Sequence, residues 1–489
     1  MKNQHFIKIF SYCSKNMWLL IFPLIRGLMT ISIFDFDGLY HWFEGAWFDL
    51  LIILVIFIAG VVRWKFSRFE IKDDRIIYSN GIFLKTVMEI PYNKITSFSI
   101  ENQFFMRFIG AADVYIDTSS GKFGDNDLKI TVSKRIAFSI KNSIRKYVEN
   151  NHSEIIGECS YKYKPKWKNI FFFSFIFSST LTGVIYISFF FIKSGKIIEE
   201  ILQEKMIDKL SDVSKNLAQI LPVYISPVTI TIALFFIGSW LISFIMNIFK
   251  YSKFKISVYG KIAEISTGIL TKHHYYINNS KINYIDLRQS IVTRIAKVMS
   301  INVNCSGYGN TRKEIPVIIP LMHEKFAIPA LKAMIPDSPK PKKLKYKPSL
   351  RFLWRYSWRA VILCAVWVVL YAAADYFFPV YHSAYVFLIV MAEIPSVWYL
   401  IVCIVSNCTS GISYSGDSIC IKYSRGYVFH TVLADKNRIV KSVISQNIFQ
   451  KATHTCDIII YANSEQTINH CLKSIKYSEA MEIQSFLTS

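Results

Sequence analysis

The chain has 489 residues, of which 52% are hydrophobic and 16% aromatic, with mean hydropathy +0.30 and a formal charge of +23. Gly (19) and Pro (14) are sparse and charged residues reach only 19%, which excludes collagen-like, linker-dominated and disordered chains and argues against a wholly soluble one. So large a positive excess points to nucleic acid or anionic lipid, and the placement of the charges decides between them.

In chain order, six apolar runs long enough to span a bilayer are predicted near Met17–Phe34, Ala46–Val62, Asn169–Ile192, Leu221–Phe249, Ala360–Phe378 and Ser383–Ser406. They pair as three hairpins. The first is expected to turn through Asp35–Gly45, the second through Lys193–Ile220 and the third near Pro379–His382. Of the 57 Lys and Arg, these turns hold five and the apolar runs hold Arg26. The positive-inside bias therefore puts both termini and everything between hairpins in the cytoplasm, in a multi-pass protein of the cell membrane. The nine Cys are scattered without a CxxC pair, so neither a zinc site nor a disulfide framework is expected.

Each hairpin precedes 80 to 90 residues of different texture. Phe69–Gly110, Phe254–Ala296 and Ile412–Ala452 share a strand, a turn and a glycine (Gly81, Gly268, Gly426). A basic residue followed by Ile comes next, at Lys94-Ile95, Lys281-Ile282 and Arg438-Ile439, and then Gln103, Gln289 and Gln446. The chain thus reads as three copies of one unit. The pattern within a unit is alternating strands, closed by a helix over Ser133–Asn150 in which Ile136, Ile140, Ile144 and Val148 recur every fourth residue. The expected organisation is hairpin 1–63, domain 64–152, hairpin 161–249, domain 250–336, basic linker 337–359, hairpin 360–406 and domain 407–489.

These residues resemble the bacterial pleckstrin-homology-like domain of membrane proteins, in its long, YdbT-like branch. The first unit carries the motif in Gly81-Ile82, Ile90-Pro91, Lys94-Ile95, Gln103, Arg107 and Gly110. The second keeps Gly268-Ile269, Lys281-Ile282, Gln289 and Arg294, with Ala296 near the motif glycine. The third has Gly426, Arg438 and Gln446, with Gln450 in place of the arginine. The resemblance implies an α+β membrane protein in which each hairpin precedes a seven-stranded, barrel-like sandwich with a C-terminal helix. It does not imply an enzyme.

No phosphate loop, nucleophile elbow or metal motif is present, and no catalytic residue, metal or cofactor is expected. His273-His274 reads as a strand or loop pair, and Asp73-Asp74 and Asp125-Asn126-Asp127 as turn residues. The linker Lys340–Arg359 has eight Lys and Arg and no acid. Beside a span such a run is a topology determinant, an anionic-lipid surface, or both, and Lys340, Lys342, Lys343, Lys345, Lys347 and Arg351 are its candidate contacts. Charges placed at span ends make nucleic acid an unexpected partner. The partners expected are anionic headgroups and a membrane protein, such as a smaller protein with the same PH-like domain.

Arg26 and Glu393 fall at mid-depth in the first and sixth runs and are expected to pair there. The function expected is a non-enzymatic scaffold at the inner leaflet, in envelope maintenance or resistance to membrane-active peptides. The alternative is a transporter component with a polar path at Arg26 and Glu393.

Overall fold

The computed structural model describes residues 1–13, 36–118, 127–151, 159–178, 212, 227–305, 317–341, 343–348, 350–377, 379, 382–463 and 469–488. After a short β1 (Lys2–Asn3), helix α1 (Phe36–Phe66) leads into the first unit. That unit runs β2 (Arg68–Ile71), β3 (Arg75–Asn80), β4 (Thr86–Pro91), a 3-10 turn (Tyr92–Lys94), β5 (Ile95–Asn102), α2 (Phe104–Phe108), β6 (Ala111–Thr118), β7 (Leu128–Ser133) and α3 (Lys134–Asn151).

Next come β8 (Tyr161–Tyr163), α4 (Trp167–Phe177) and α5 (Pro227–Tyr251). The second unit follows as β9 (Lys255–Tyr259), β10 (Ile262–Thr267), β11 (Lys272–Asn278), β12 (Ile282–Gln289), α6 (Ile291–Ile295), β13 (Val298–Cys305), β14 (Val317–His323) and α7 (Glu324–Met334). Helices α8 (Leu353–Phe377) and α9 (His382–Thr409) precede the third. It comprises β15 (Gly411–Ser415), β16 (Ser418–Arg425), β17 (Val428–Asp435), β18 (Ile439–Ser445), α10 (Ile448–Ala452), β19 (Thr455–Ala462), β20 (Asn469–Lys476) and α11 (Tyr477–Thr488).

Four helices are long and apolar enough to cross a membrane among the described residues: Ala46–Phe66, Leu234–Tyr251, Leu353–Phe377 and Ile389–Thr409. The first predicted span, with Arg26, lies outside the described residues, and the third is described only as far as Ser178. Helix α1 begins at Phe36, so residues expected to turn between the first two spans are helical instead. Their apolar and aromatic content (Leu39, Tyr40, Trp42, Phe43) leaves no breaker except Gly38 and Gly45. Helices α8 and α9 pack as a hairpin, with Trp367 Nε1 donating to Ser396 Oγ at 3.1 Å.

The three units are built alike. The register shifts by one residue after Ile95, Ile282 and Ile439, a bulge at the same place in each. The short helix ends at a left-handed residue in each: Gly110 (φ 71°), Lys297 (φ 53°) and His454 (φ 50°). The carbonyl of each accepts the first amide beyond the following strand pair, from Lys134, Glu324 and Tyr477 respectively. The motif glycine of the second unit thus corresponds to Lys297, not Ala296. Gly81 (φ 120°) and Gly268 (φ 95°) have no alternative, since a Cβ would strike the carbonyls of Leu84 and Thr271.

The units are not three separate barrels. The sheets run β1-β2-β3-β4, then β7-β6-β5-β11-β10-β9-β8, then β14-β13-β12-β17-β16-β15, then β18-β19-β20. The second half of each unit continues into the first half of the next, through antiparallel pairs β5·β11 and β12·β17. Register is the same at both joints. Ile277 faces Ser97 and Lys272 faces Asn102, as Ala434 faces Tyr284 and Phe429 faces Gln289. An open edge carries unpaired amides and carbonyls, and pairing with the neighbour satisfies them. The cores follow the same rule: Tyr276 packs against the first unit's core, while Cys420 and Leu433 belong to the second's.

The seventh strand of a unit comes from before its hairpin. β1 pairs with β2, β8 pairs with β9, and Tyr346 bridges to Ile412. The first basic linker is therefore an edge strand as well as a charge run, and the second holds the same edge through a single bridge.

Candidate membrane-facing surface

In the second and third units the glycine turn lies against an apolar helix. The turn holding Gly268 is tied to the end of α5: Gly268 N donates to Ser252 O at 2.8 Å, Ile269 N to Phe249 O at 3.1 Å, and Thr267 Oγ1 to Lys250 O at 2.7 Å. In the third unit Ser424 Oγ donates to Ser406 Oγ at 2.6 Å, and Tyr427 Oη reaches the Pro395 carbonyl at 3.2 Å, within the last apolar helix. The short helices stand beside these turns. Arg107 of α2 donates to the carbonyls of Ile269 (2.9 Å) and Leu270 (3.3 Å), and Arg294 of α6 lies 5.3 Å over the Phe429 ring.

Phe105, Phe108 and Ile295, on the short helices beside these turns, are each at least 76% exposed, and Phe83 and Leu84 in the first unit's glycine turn and Phe449 in the third unit's short helix are at least as exposed. Side chains of this kind gathered beside span ends suit the boundary between headgroups and acyl chains, where burial of apolar area is favourable.

Cations gather at the joint between the first two units. The charges acting on Lys272 are all positive, from Arg107, Lys253 and Lys134. Burial first, and then these neighbours, hold its ammonium below the usual lysine range. Beside them an open cleft of about 770 Å³ is lined by Gly110, Ser133, Lys134, Arg135 and Phe138. Such a site can hold a phosphate or another anionic group. Four separate stretches of chain supply its cations. Of these residues only Arg107 stood out in the sequence, because nothing in a linear pattern brings the other three together.

The linker expected to carry lipid contacts is committed elsewhere in part. Lys345 pairs with Glu482 at 3.1 Å and lies 4.7 Å over the Tyr346 ring. Hydroxyls of Tyr346 and Tyr414, with the Lys345 ammonium, hold Glu482 down to about 2. Lys340, Lys343, Lys347 and Arg351 are exposed, and Lys342 lies outside the described residues.

The repeated motif residues have structural duties. Gln289 Nε2 donates to Val298 O at 3.1 Å and to Glu324 at 2.6 Å, and Gln446 Nε2 donates to Thr455 O at 2.8 Å. Gln103 differs, its nearest partner being Glu101 at 3.5 Å. Lys94, Lys281 and Arg438 each close a 3-10 turn, and Arg438 crosses to Ser280 O at 2.7 Å. Gln450 is the third residue of α10 and closes its capping box with Asn447, as Thr293 of α6 does with Ser290. The residue in the place of Arg107 and Arg294, fourth in its short helix, is Lys451.

His273 and His274 lie on β11, where His273 stacks on Tyr275 at 5.7 Å. Asp74 pairs with Arg75 at 2.9 Å, and Asp127 accepts from Thr118 N at 2.7 Å, both at turns. Glu393 keeps Oε2 buried with no hydrogen-bond partner among the described residues, and the Cys364 thiol is its neighbour.

A buried polar cluster that no sequence motif marks spans the second joint. Asp286 accepts from Arg288 Nε at 2.6 Å and from His430 Nδ1 at 2.9 Å, and Tyr423 Oη donates to His470 Nδ1 at 2.9 Å. Burial pushes His470 down to about 4. A histidine free in the unfolded chain titrates near 6.5, so the unfolded state binds the extra proton first. The stabilisation is complete above pH 6.5 and is lost as pH falls toward 4, by roughly 3 kcal/mol in all. Thermal unfolding followed between pH 7 and 4 should show this decline, and His470→Gln should flatten it.

The sequence model of the bacterial PH domain matches residues 25–148 and 216–332. These are bacterial PH domains. Each match starts inside a predicted hairpin, so the repeating unit includes the hairpin with its PH domain. The third unit lies outside both matches and shares the strand order, the bulge and the joint register of the other two. The transmembrane protein YdbT of Bacillus subtilis (strain 168) is 22% identical over 338 residues, 65% of this chain and 66% of YdbT. The aligned part thus spans slightly less than two thirds of that relative. No solved structure matches.

Proposed function

We propose that this membrane protein is a non-enzymatic scaffold whose PH domains lie against the inner leaflet and hold anionic lipid at the first joint. The Lys and Arg bias supports a cytoplasmic placement of domains and termini. The observation that carries the reading is the convergence of Arg107, Lys134, Lys253 and Lys272 beside span ends that are ringed by exposed aromatic side chains. A headgroup phosphate would neutralise part of that cluster, while Phe105 and Phe108 enter the interface beside it. Lys343 and Lys347 of the linker add attraction without forming the site. Envelope maintenance is the biological setting that fits such a scaffold.

The test is lipid retention by the purified full chain in detergent, exchanged against equal phosphatidylglycerol and phosphatidylcholine. Phosphatidylglycerol should be retained preferentially, and the preference should weaken with salt. Lys253→Gln with Lys272→Gln should weaken it about thirtyfold, at about 1 kcal/mol per charge. Equal retention of both lipids, or no salt dependence, would remove the lipid reading.

One observation favours a second reading. The unpartnered buried oxygen of Glu393 fits a polar path through the spans, as a transporter component would need.

A further inference from the structure

The two internal joints leave half a joint at each end of the array. Among the described residues, β4 pairs only with β3 and β18 only with β19. These ends are complementary. β4 holds the place that β11 and β17 hold in the later units, and β18 holds the place of β5 and β12.

Both edges are bare where their counterparts are covered. Met88 on β4 is 42% exposed, whereas Tyr275 and Val432, its equivalents on β11 and β17, are 3% and 0%. Val443 on β18 is 39% exposed, against 7% for Ser99 and 4% for Asp286. The loops beside the joints behave alike: Phe83 is 99% exposed where Leu270 is 40%, and Ile448 is 84% where Phe104 is 44%. Lys451 stands where Arg107 and Arg294 reach across to the next unit. Among the described residues it reaches no neighbouring unit.

We infer that the protein assembles head to tail, with β18 of one copy pairing antiparallel with β4 of the next in the register of the internal joints. That register sets Met88 against Val443 and Val87 against Ile444, two apolar pairs, with Ile90 against Lys441. Lys451 then approaches the carbonyls of Ile82 and Phe83 in the next copy, as Arg107 approaches Ile269 and Leu270. Each internal joint keeps the glycine turns at the span ends, so the same step repeated between copies leaves all spans in one membrane. A contact of this kind is heterologous and gives a ring or an open row.

Two differently tagged full-length copies, one Met88→Cys and the other Val443→Cys, are co-expressed and oxidised in the membrane. A mixed-tag disulfide dimer is expected at ten times or more the yield of the Met88→Cys/Met88→Cys or Val443→Cys/Val443→Cys combinations. Met88→Lys with Val443→Lys, both at exposed positions, should reduce the mass in detergent to one copy without moving the unfolding temperature. The inference is overturned by equal yields in all combinations, by a link that forms within one chain carrying both cysteines, or by a different protein captured at Met88→Cys instead of a second copy. An unmodified chain that counts as one copy by photobleaching in native membranes also overturns it.

Discussion

Asp286→Ala is expected to destabilise the protein by about 3–5 kcal/mol, the size of effect seen when one partner of a buried charged pair is removed. Asp286 lies on β12 with its carboxylate buried (5% exposed), and its acceptors serve Arg288 on the same strand and His430 on β17 of the next unit. Against the cost of burial, the His430 and Arg288 contacts hold the carboxyl below the usual range. Alanine leaves a guanidinium and a ring N–H facing each other without the acceptor that both were placed around. Asn keeps one acceptor oxygen and should lose less. The effect should also be local. At the first joint the corresponding residues are Ser99, Glu101 and His273, so hydrogen exchange should quicken at β12 and β17 and stay slow at β5 and β11. A loss of less than about 1 kcal/mol, or a uniform loss of protection, would mean that the cluster does not fasten the joint.

Loss of either Arg26 or Glu393 is expected to lower the amount of protein that accumulates in the membrane, and exchange of the two should restore it. Glu393 sits within α9, eleven residues from its start at His382, or ~16 Å at 1.5 Å per residue. In the predicted span Ser383–Ser406 that corresponds to mid-depth in a core ~30 Å thick. A central charge costs ~2.5–3.5 kcal/mol on insertion scales, and the Cys364 thiol cannot neutralise it. Arg26 lies outside the described residues; the expectation from the sequence is that it stands at the same level in the first predicted span, running the opposite way. Quantitative immunoblotting of Arg26→Ala, Glu393→Ala and Arg26→Glu with Glu393→Arg reads the outcome directly. If the exchange fails to restore accumulation, the pair does not exist. If Glu393→Gln accumulates normally and abolishes function, the residue serves a polar path and the transporter reading gains.

The sequence alone determined the membrane class, the threefold repeat and the mainly β texture of each unit. Those follow from side-chain chemistry that local windows contain: apolar runs of about 20, alternation with period two, and glycine at Gly81 and Gly268 where no side chain fits. It also marked Glu393, since a carboxylate in an apolar run stands out whatever packs around it. The tertiary structure decided everything that depends on backbone edges. β5 joins β11 and β12 joins β17 through amides and carbonyls that every strand carries, so no residue pattern announces the partner. The same reason hid the linkers' place on the sheet edge at Tyr163 and Tyr346, and it made Gln450 look like the counterpart of Arg107 when the fold gives that place to Lys451. The cluster of Arg107, Lys134, Lys253 and Lys272 and the Asp286 network were invisible for a related reason. Their members are far apart in the chain, and only the pairing of neighbouring units brings like charges to one joint and opposite charges to the other.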